Sequence, residues 1–272
     1  MAQRVSIQGF EGSFHQIAAQ QFCGPDIAIM PCATFSEVVE SVKQGTVGIG
    51  IMAIENSIAG SILPNYTLLQ KSNLQIVGEV YLPIQQHLLA NPGVKLEDIK
   101  EVHSHPMAIQ QCLDYLLPHR WKLVETEDTA LSARGLHLHK NKHAAAIAGK
   151  LAAELFELEI LAADIHSEKH NYTRFLVLQK SPAMPLSGNK ASISFRTDHA
   201  KGKLAKVLTK IAAGDINLSK LQSFPISGSH WNYYFHADLE FETIAQFEKV
   251  IEEMKAVTVA ITIYGVYKNS NQ

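Results

Sequence analysis

The stretch Val47-Gly-Ile-Gly-Ile-Met-Ala-Ile-Glu-Asn-Ser57 decides the fold of the first two thirds of the chain. A run of apolar residues and glycines, Val47–Ile54, reads as a strand and ends on the polar triplet Glu55-Asn-Ser57. Upstream, Arg4–Gln8 and Ile27–Cys32 read as two more strands, with Ser13–Phe22 and Ser36–Gln44 as helices between them. A β-α-β-α-β order argues for a mostly parallel sheet with helices on its faces. Ile62–Lys71 is expected as a third helix. Leu74–Leu82 and Gln86–Ala90 then follow almost end to end around Pro83, an extended stretch long enough to pass from one lobe to another.

The alternation continues downstream. Glu101–His103, Trp121–Glu125, Ala144–Ala148 and Ile160–Ala163 read as strands, and Met107–Leu117, Thr129–His139 and Gly149–Phe156 as helices. Arg174–Gln179 reads as a strand that crosses back. Two lobes joined by two crossing segments make a cleft, the usual place for a ligand in an open α/β fold. The expected division is a two-lobed domain over 1–180, with lobes of roughly 1–82 plus 165–180 and 83–164. A Pro/Gly/Ser-rich linker follows at 181–189, and a second domain at 190–272. That last part reads as strand Ala191–Phe195, helix Lys203–Ala212, strands Asn217–Pro225 and Trp231–Glu240, helix Ile244–Met254 and strand Val257–Val266. This is the βαββαβ order of ferredoxin-like domains.

Composition excludes several classes of function. The 272 residues carry 24 Lys+Arg and 26 Asp+Glu, a formal charge of -2 that leaves no electrostatic footprint for nucleic acid. With 46% hydrophobic and 18% charged residues the chain can bury a full core, and no apolar run reaches the ~20 residues of a membrane span. No apolar signal core opens the sequence, and Cys23, Cys32 and Cys112 are scattered rather than paired, so a cytoplasmic protein with reduced thiols is expected. Thirteen histidines are many, yet His103, His105, His137, His139 and His143 meet no Cys or carboxylate at a metal-binding spacing, so no metal site is expected.

Walker A, GxGxxG, GxSxG and HExxH signatures are all missing. The chemistry instead gathers at strand–helix junctions. These are the turn Gly9-Phe-Glu-Gly-Ser13, the triplet Glu55-Asn-Ser57, His103-Ser-His-Pro106 leading into a helix with Gln111, Glu127-Asp-Thr129 at another helix start, and Asn171-Tyr-Thr-Arg174 before the final strand. Each alone reads as a cap or turn. Together, at the junctions of one α/β domain, they point to a shared polar cleft.

In order along the chain, these clusters resemble the motifs of the prephenate dehydratase family. Gly9-Phe-Glu-Gly-Ser-Phe14 is similar to the family's GPxGTF-type loop, with Phe10 in place of proline. Ala53-Ile-Glu-Asn-Ser-Ile-Ala-Gly-Ser61 resembles PIENSxxGxV. Ser104-His-Pro106 with Gln111-Cys112 resembles SHPQAxxQC, with Met107 in place of glutamine. Glu127-Asp-Thr-Ala130 resembles the DTA/STA helix start, and Asn171-Tyr-Thr-Arg-Phe175 resembles NxTRF, the most specific of the set. The resemblance implies a cofactor-free lyase that converts prephenate to phenylpyruvate, water and carbon dioxide. It implies a periplasmic-binding-protein-like two-lobed domain followed by a ferredoxin-like ACT domain. The catalytic residues it implies are Thr173, Arg174, Phe175, Glu55, Asn56, Ser104, Gln111 and Glu127, with Ser13, Ser57, Thr129, Ala130 and Asn171 binding substrate.

For the ACT domain the resemblance implies a phenylalanine effector site that includes Gly202, Leu204, Asn217, Leu218, Gln222 and Ser223, and a homodimer or homotetramer assembled through these domains. Gly202-Lys-Leu-Ala205 resembles the GAL-type loop, whereas the ESRP signature has become Gln222-Ser-Phe-Pro225. Two rivals accompany this expectation. One is arogenate dehydratase, the same chemistry on the 2-amino analogue, for which the sequence reveals no group that prefers an ammonium to a keto oxygen. The other is a non-catalytic amino-acid-binding regulator.

Overall fold

A computed structural model describes residues 3–180, 187–226 and 232–270. Most of the linker expected at 181–189, and Trp231 at the start of an expected strand, lie outside the described residues. The chain forms two units, Met1–Leu68 with Val80–Phe175, and Leu69–Glu79 with Leu176–Gln272. Among the described residues no helix is long and apolar enough to cross a membrane.

The first lobe of the first unit begins with β1 (Gln3–Gln8), α1 (Phe14–Cys23), β2 (Ile27–Cys32), α2 (Phe35–Lys43) and β3 (Ile49–Asn56). Strands β2 and β3 both pair with β1 in parallel, as the alternating order requires. Val5 and Ile7 of β1 are wholly buried, and Val38 and Val42 of α2 cover the sheet. That helix lies close because Gly50 has no side chain: a Cβ there would stand 2.8 Å from Val42 Cγ2 and 3.0 Å from Val38 Cγ1. The short β4 (Gly60–Ser61) folds back on β3, and α3 (Leu63–Ser72) leads into β5 (Gln75–Pro83).

The second lobe comprises β6 (His87–Ala90), β7 (Glu101–Ser104), α4 (Pro106–Gln111), α5 (Leu113–Leu116), β8 (Lys122–Glu125), α6 (Thr129–His139), β9 (Ala144–Ala148), α7 (Lys150–Leu155) and β10 (Glu159–Ala162). Its sheet order is β10-β6-β9-β7-β8. At the centre, Ala144-Ala-Ala-Ile-Ala148 would favour a helix by local propensity, but both faces of the strand are covered. Ala145 and Ile147 meet Ala108, Ile109, Cys112 and Leu116 on one side, while Ala144, Ala146 and Ala148 meet Ala133, Leu136, Ala152 and Ala153 on the other. Small side chains let helices approach both faces of this strand, and tertiary packing overrides propensity.

The chain returns to the first lobe through β11 (Tyr172–Gln179), giving the first sheet the order β2-β1-β3-β11-β5. The two crossings are tied to each other. Ile84 N–H donates to Asn171 O (2.8 Å), Ile165 N–H to Gln86 O (2.9 Å), and Gln86 N–H to His166 Nδ1 (3.3 Å).

One expected helix is interrupted. Met107–Leu117 breaks at Cys112 into α4 and α5, because the Gln111 carbonyl takes the Ser167 N–H of the returning crossing (2.9 Å), while the Tyr115 N–H turns to Cys112 O (3.1 Å). The break anchors the Gln111 backbone to the crossing.

The second unit follows the order β12 (Lys190–Arg196), α8 (Lys203–Ala213), β13 (Asn217–Pro225), β14 (Tyr233–Glu240), α9 (Ile244–Lys255) and β15 (Ala260–Tyr267). Its sheet, β13-β14-β12-β15, is antiparallel throughout, the ferredoxin-like arrangement. The last strand starts three residues later than expected, because Val257 N–H and Thr258 Oγ1–H are still donating to Met254 O at the end of α9.

Strand alternation sends Ala191, Ile193 and Phe195 of β12 against Val207, Ile211, Phe247 and Val250 of the helices. On the opposite face Ser192 Oγ bonds Asp238 Oδ1 (2.5 Å) and Tyr267 Oη (2.6 Å), all buried. Lys190 Nζ lies 3.0 Å from Glu79 Oε1, with both side chains out of solvent. Lys190 Nζ also lies 3.6 Å from Glu240 Oε1, so the buried ammonium is shared between two carboxylates.

Gly265 marks where β15 meets the segment Leu69–Glu79: a Cβ there would stand 2.0 Å from Ile76 O. That backbone oxygen cannot yield as a side-chain tip can. Gly265→Ala is therefore expected to lower stability by about 1–3 kcal/mol or more through overpacking. Chemical denaturation of the full chain measures this, and an unchanged midpoint would refute the contact.

Candidate active site

A cavity of about 380 Å³ opens between the lobes of the first unit. Gln8, Ser13, His15, Phe35 and Asn56 line it from the first lobe, His105, Gln111, Glu127, Asp128 and Thr129 from the second, and Gln86, Thr173 and Phe175 from the crossings. Phe14, Ile62, Ile84 and Met107 add apolar wall.

The polar centre is built on Asn56, the residue that ends β3. Its Oδ1 accepts the N–H groups of Ile58 (3.0 Å) and Ala59 (2.9 Å), which fixes the carboxamide and turns its Nδ2 toward the returning crossing. There Nδ2 donates to Asn171 Oδ1 (2.7 Å), Tyr172 O (3.1 Å) and Thr173 Oγ1 (3.0 Å), three acceptors sharing two hydrogens. Asn171 Nδ2 donates in turn to Gln111 Oε1 (3.2 Å). A chain of amides thus runs from the first lobe through the crossing to the second. Because the Thr173 oxygen accepts from Asn56, its own O–H hydrogen is left for another acceptor, and such a relay strengthens that donor.

Along β11 the side chains alternate. Thr173 and Phe175 line the cavity, whereas the buried Arg174 places its guanidinium 5.8 Å from the centroid of the Tyr81 ring and does not line it. Glu55, one residue before Asn56 on β3, likewise stands outside the lining. Ser104 is fully buried and donates to Ile147 O (2.7 Å), bracing β7 against β9. Ser57 donates to His170 O (3.0 Å) and accepts from Tyr172 N (2.9 Å), pinning the return. Ala130 is buried in the first turn of α6, and Asn171 reaches the site only through Asn56 and Gln111.

The structure thus brings together Ser13, Asn56, Gln111, Glu127, Thr129, Thr173 and Phe175, and sets Arg174, Glu55, Ser57, Ser104 and Ala130 off the wall. It adds Gln8, His15, Phe35, Gln86, His105 and Asp128. His105 and Asp128 sat inside polar clusters of the sequence. Both cap helices: His105 Nδ1 accepts from Met107 N (3.2 Å), and Asp128 Oδ1 from Leu131 N (2.9 Å). Gln8, His15, Phe35 and Gln86 carried no signal, since each lies inside or beside an element that reads as ordinary core.

Electrostatics follow from burial. His15 packs edge-on to Phe175, with ring centroids 4.9 Å apart, and tilted against Phe35 at 5.5 Å. Its Nε2 has no partner, and burial lowers its pKa to about 4. The imidazole is therefore neutral at physiological pH. Asp128 is pushed the other way: burial raises its carboxyl, against the lowering effect of hydrogen bonds from the Leu131 and Ala130 amides. Among the described residues no group of three or more His, Cys, Asp and Glu side chains gathers as a metal site.

The family model described as prephenate dehydratase matches residues 5–183. The arogenate dehydratase 2 of Petunia hybrida is 34% identical, over 98% of this chain and 72% of that one.

The chain belongs to the prephenate dehydratase family.

Two solved structures agree in fold. A prephenate dehydratase from Arthrobacter aurescens in complex with L-Phe superposes with a TM-score of 0.88 at 27% identity, covering 98% of this chain and 90% of that one. A protein described as GqqA, a novel type of quorum quenching acylase, gives 0.90 at 30% identity over 98% of both chains.

The second unit of this prephenate dehydratase family member holds the residues expected to bind an effector. Gly202 is left-handed (φ 76°) at the start of α8, and Leu204 lines a small cavity with Thr197, Asp198, His199, Ala200, Asn232, Tyr233 and Phe235. Asn217 and Leu218 open β13 beyond the far end of α8, a helix of eleven residues and so about 16 Å long. Asn217 Nδ2 donates to Glu240 Oε2 (2.8 Å), and Gln222 Nε2 to Ser223 O (3.2 Å). Gly202 and Asn217 therefore do not converge within one copy of the chain.

The neutrality of His15 can be measured. Its folded pKa lies below the ordinary 6.5, so its share of stability is complete above about 6.5 and is lost as pH falls toward about 4. An NMR titration should place its midpoint near 4. His15→Asn should flatten the fall in stability between these pH values, and a wild-type midpoint near 6.5 would contradict this environment.

Proposed function

We propose that the chain is a prephenate dehydratase, a lyase of phenylalanine biosynthesis. The observation that carries this reading is the Asn56 carboxamide donating to Thr173 Oγ1 while the Thr173 side chain faces a cavity walled by aromatic and aliphatic groups. Prephenate is a cyclohexadiene with two carboxylates and a hydroxyl across the ring. The ring carboxylate leaves as carbon dioxide, its bonding pair moves into the ring, the C–O bond to the hydroxyl breaks, and hydroxide takes a proton from solvent to become water. The ring becomes aromatic, which supplies much of the driving force.

The site contributes fixed donors. A threonine hydroxyl is a poor acid, so Thr173 acts by hydrogen bonding to the departing hydroxide, with its hydrogen directed there because its lone pair is already engaged by Asn56. The start of α1, capped by neutral Ser13 and with no acid in its first turn, offers amide hydrogens and the positive end of a helix to a carboxylate. Phe35, Phe175, Ile62 and Ile84 give the ring its apolar walls. The carboxamides of Gln8 and Gln111 supply further neutral hydrogen-bonding groups.

Thr173→Ala is expected to keep the fold and lose about 10²- to 10³-fold in turnover, equivalent to about 3–4 kcal/mol, while Thr173→Ser retains much more. Phenylpyruvate formation under saturating prephenate reads the difference. Wild-type turnover in the alanine variant would sink the assignment.

The second unit is a phenylalanine-binding ACT domain in this reading, its site completed by a second copy of the chain. Support comes from the ferredoxin-like topology, the left-handed Gly202 before α8 and the separation of Gly202 from Asn217 within one copy. Binding regulates only if one arrangement of the protein holds the ligand more tightly, with about 1–3 kcal/mol of coupling being typical. Calorimetry with phenylalanine alongside inhibition curves should show both binding and inhibition. An absence of heat at millimolar ligand would limit the unit to assembly.

A further inference from the structure

Three strands of the second unit carry one row of polar side chains. Asn217 of β13 is in register with Glu240 of β14, and Glu240 with Lys190 of β12. Residues directly opposite in neighbouring strands share a face of the sheet. Here it is the face turned away from the helices, since Ala191 and Ile193 take the other. Asn217 Nδ2 donates to Glu240 Oε2 (2.8 Å), while Lys190 Nζ stands 3.6 Å from Glu240 Oε1 and 3.0 Å from Glu79 Oε1. The row therefore runs from an exposed residue on the edge strand β13 to the buried carboxylate of Glu79.

Glu79 belongs to β5, the strand that continues into the first unit. Five residues on, Ile84 lines the catalytic cavity and donates its N–H to Asn171 O (2.8 Å). At about 3.3 Å per residue, Glu79 is roughly 16 Å of extended chain from that wall.

One ammonium thus has two carboxylates within reach, and they differ. The Glu79 side chain has no exposure, whereas Glu240 keeps 21% of its own. Burial pushes the Glu240 carboxyl up, but hydrogen bonds from Asn217 and Ser219 and the Lys190 charge hold it below its ordinary value, so it is ionised. Asn217 and Lys190 compete for that carboxylate. Anything that draws Asn217 away leaves Glu240 more attractive to Lys190 and loosens the hold of Lys190 on Glu79. A shared ion of this kind has two arrangements, which is what coupling between distant sites requires.

We propose that Lys190 is the switch of the second unit: phenylalanine bound beside Asn217 takes that carboxamide from Glu240, Glu240 takes the ammonium, and β5, released at Glu79, shifts Ile84 and weakens substrate binding. The inference rests on the phenylalanine reading above and deepens it by naming the residues through which the ligand acts.

The test compares the purified full chain with Glu240→Gln and Glu79→Gln. Glutamine keeps the size of glutamate, and its carbonyl at position 240 still accepts from Asn217. Circular dichroism verifies folding, calorimetry reads phenylalanine affinity, and prephenate turnover reads inhibition. Phenylalanine should raise the apparent KM of wild type about 5- to 150-fold. Glu240→Gln should keep the basal kcat/KM and still bind phenylalanine, yet its KM should move less than about twofold with the ligand. Glu79→Gln surrenders the ammonium to Glu240 and should show the raised KM with no phenylalanine present. The two variants therefore depart from wild type in opposite senses, which a mere loss of packing would not produce. If Glu79→Gln fails to fold, Glu240→Gln alone decides. The switch is overturned if Glu240→Gln is inhibited like wild type or no longer binds phenylalanine, or if a folded Glu79→Gln has wild-type basal kinetics. Each of these outcomes leaves the phenylalanine reading intact. Wild type that binds phenylalanine without inhibition also overturns the switch, and wild type that binds none overturns both.

Discussion

A carboxamide has two hydrogens and one strongly accepting oxygen, and the way Asn56 spends them governs the first unit. Its oxygen is taken by the N–H groups of Ile58 and Ala59, so it cannot flip. Its hydrogens must then reach Asn171, Tyr172 and Thr173 on the returning crossing. That places the end of β3 against the start of β11 and orients the Thr173 hydroxyl in one step. Through Asn171 the restraint passes to Gln111 of the second lobe, whose backbone is held by Ser167 of the same crossing. Loss of any one member leaves buried polar groups of its neighbours unpaired, at roughly 1–3 kcal/mol each. The network therefore behaves as a unit.

Strand geometry determines which parts of a motif can touch a ligand. In Asn171-Tyr-Thr-Arg-Phe175 the period of two turns Thr173 and Phe175 to the cavity and Arg174 away, over Tyr81. A guanidinium beside the site would hold a carboxylate strongly, but it would do so in the ground state and the transition state alike. Helix ends and carboxamides are weaker, neutral and rigid. They suit a reaction in which one carboxylate departs as carbon dioxide and must not be held too tightly.

Much of the fold was legible because its signals are local. Val47–Ile54, Ala144–Ala148, Thr129–His139 and Asn217–Pro225 each carry a periodic or uninterrupted apolar pattern with punctuation at the ends, and each element appears within two residues of its expected bounds. The break at Cys112 was invisible, since its cause is the Ser167 amide, distant in sequence. The cavity divides in the same way. Asn56, Glu127 and Thr129 sit at strand–helix junctions and announce themselves as polar residues there, while Gln111 and Thr173 belong to the polar clusters beside a helix and before a strand. His15 and Phe35 do not, because they lie on helices of the first lobe whose pattern reads as core, and Gln86 does not, because its place is set by the returning crossing. Asp128 was visible as a helix cap, but only the approach of Gly9 gives its second oxygen a place in the cavity.

Closure also explains why the lobes meet over so little bulk. Beside the Gly9–Asp128 approach, a Cβ on Gly12 would stand 3.1 Å from Ala152 Cα, and one on Gly149 would stand 3.1 Å from the Phe14 ring. Three small positions on facing edges let the backbone of each lobe come within contact of the other. Where a bound substrate displaces water from the cavity, every fixed dipole on the wall gains weight. Burial holds His15 neutral, between Phe35 and Phe175 of its own lobe, and burial raises the carboxyl of Asp128. How closely the two edges approach is set at Gly9, Gly12 and Gly149, residues with no chemistry of their own.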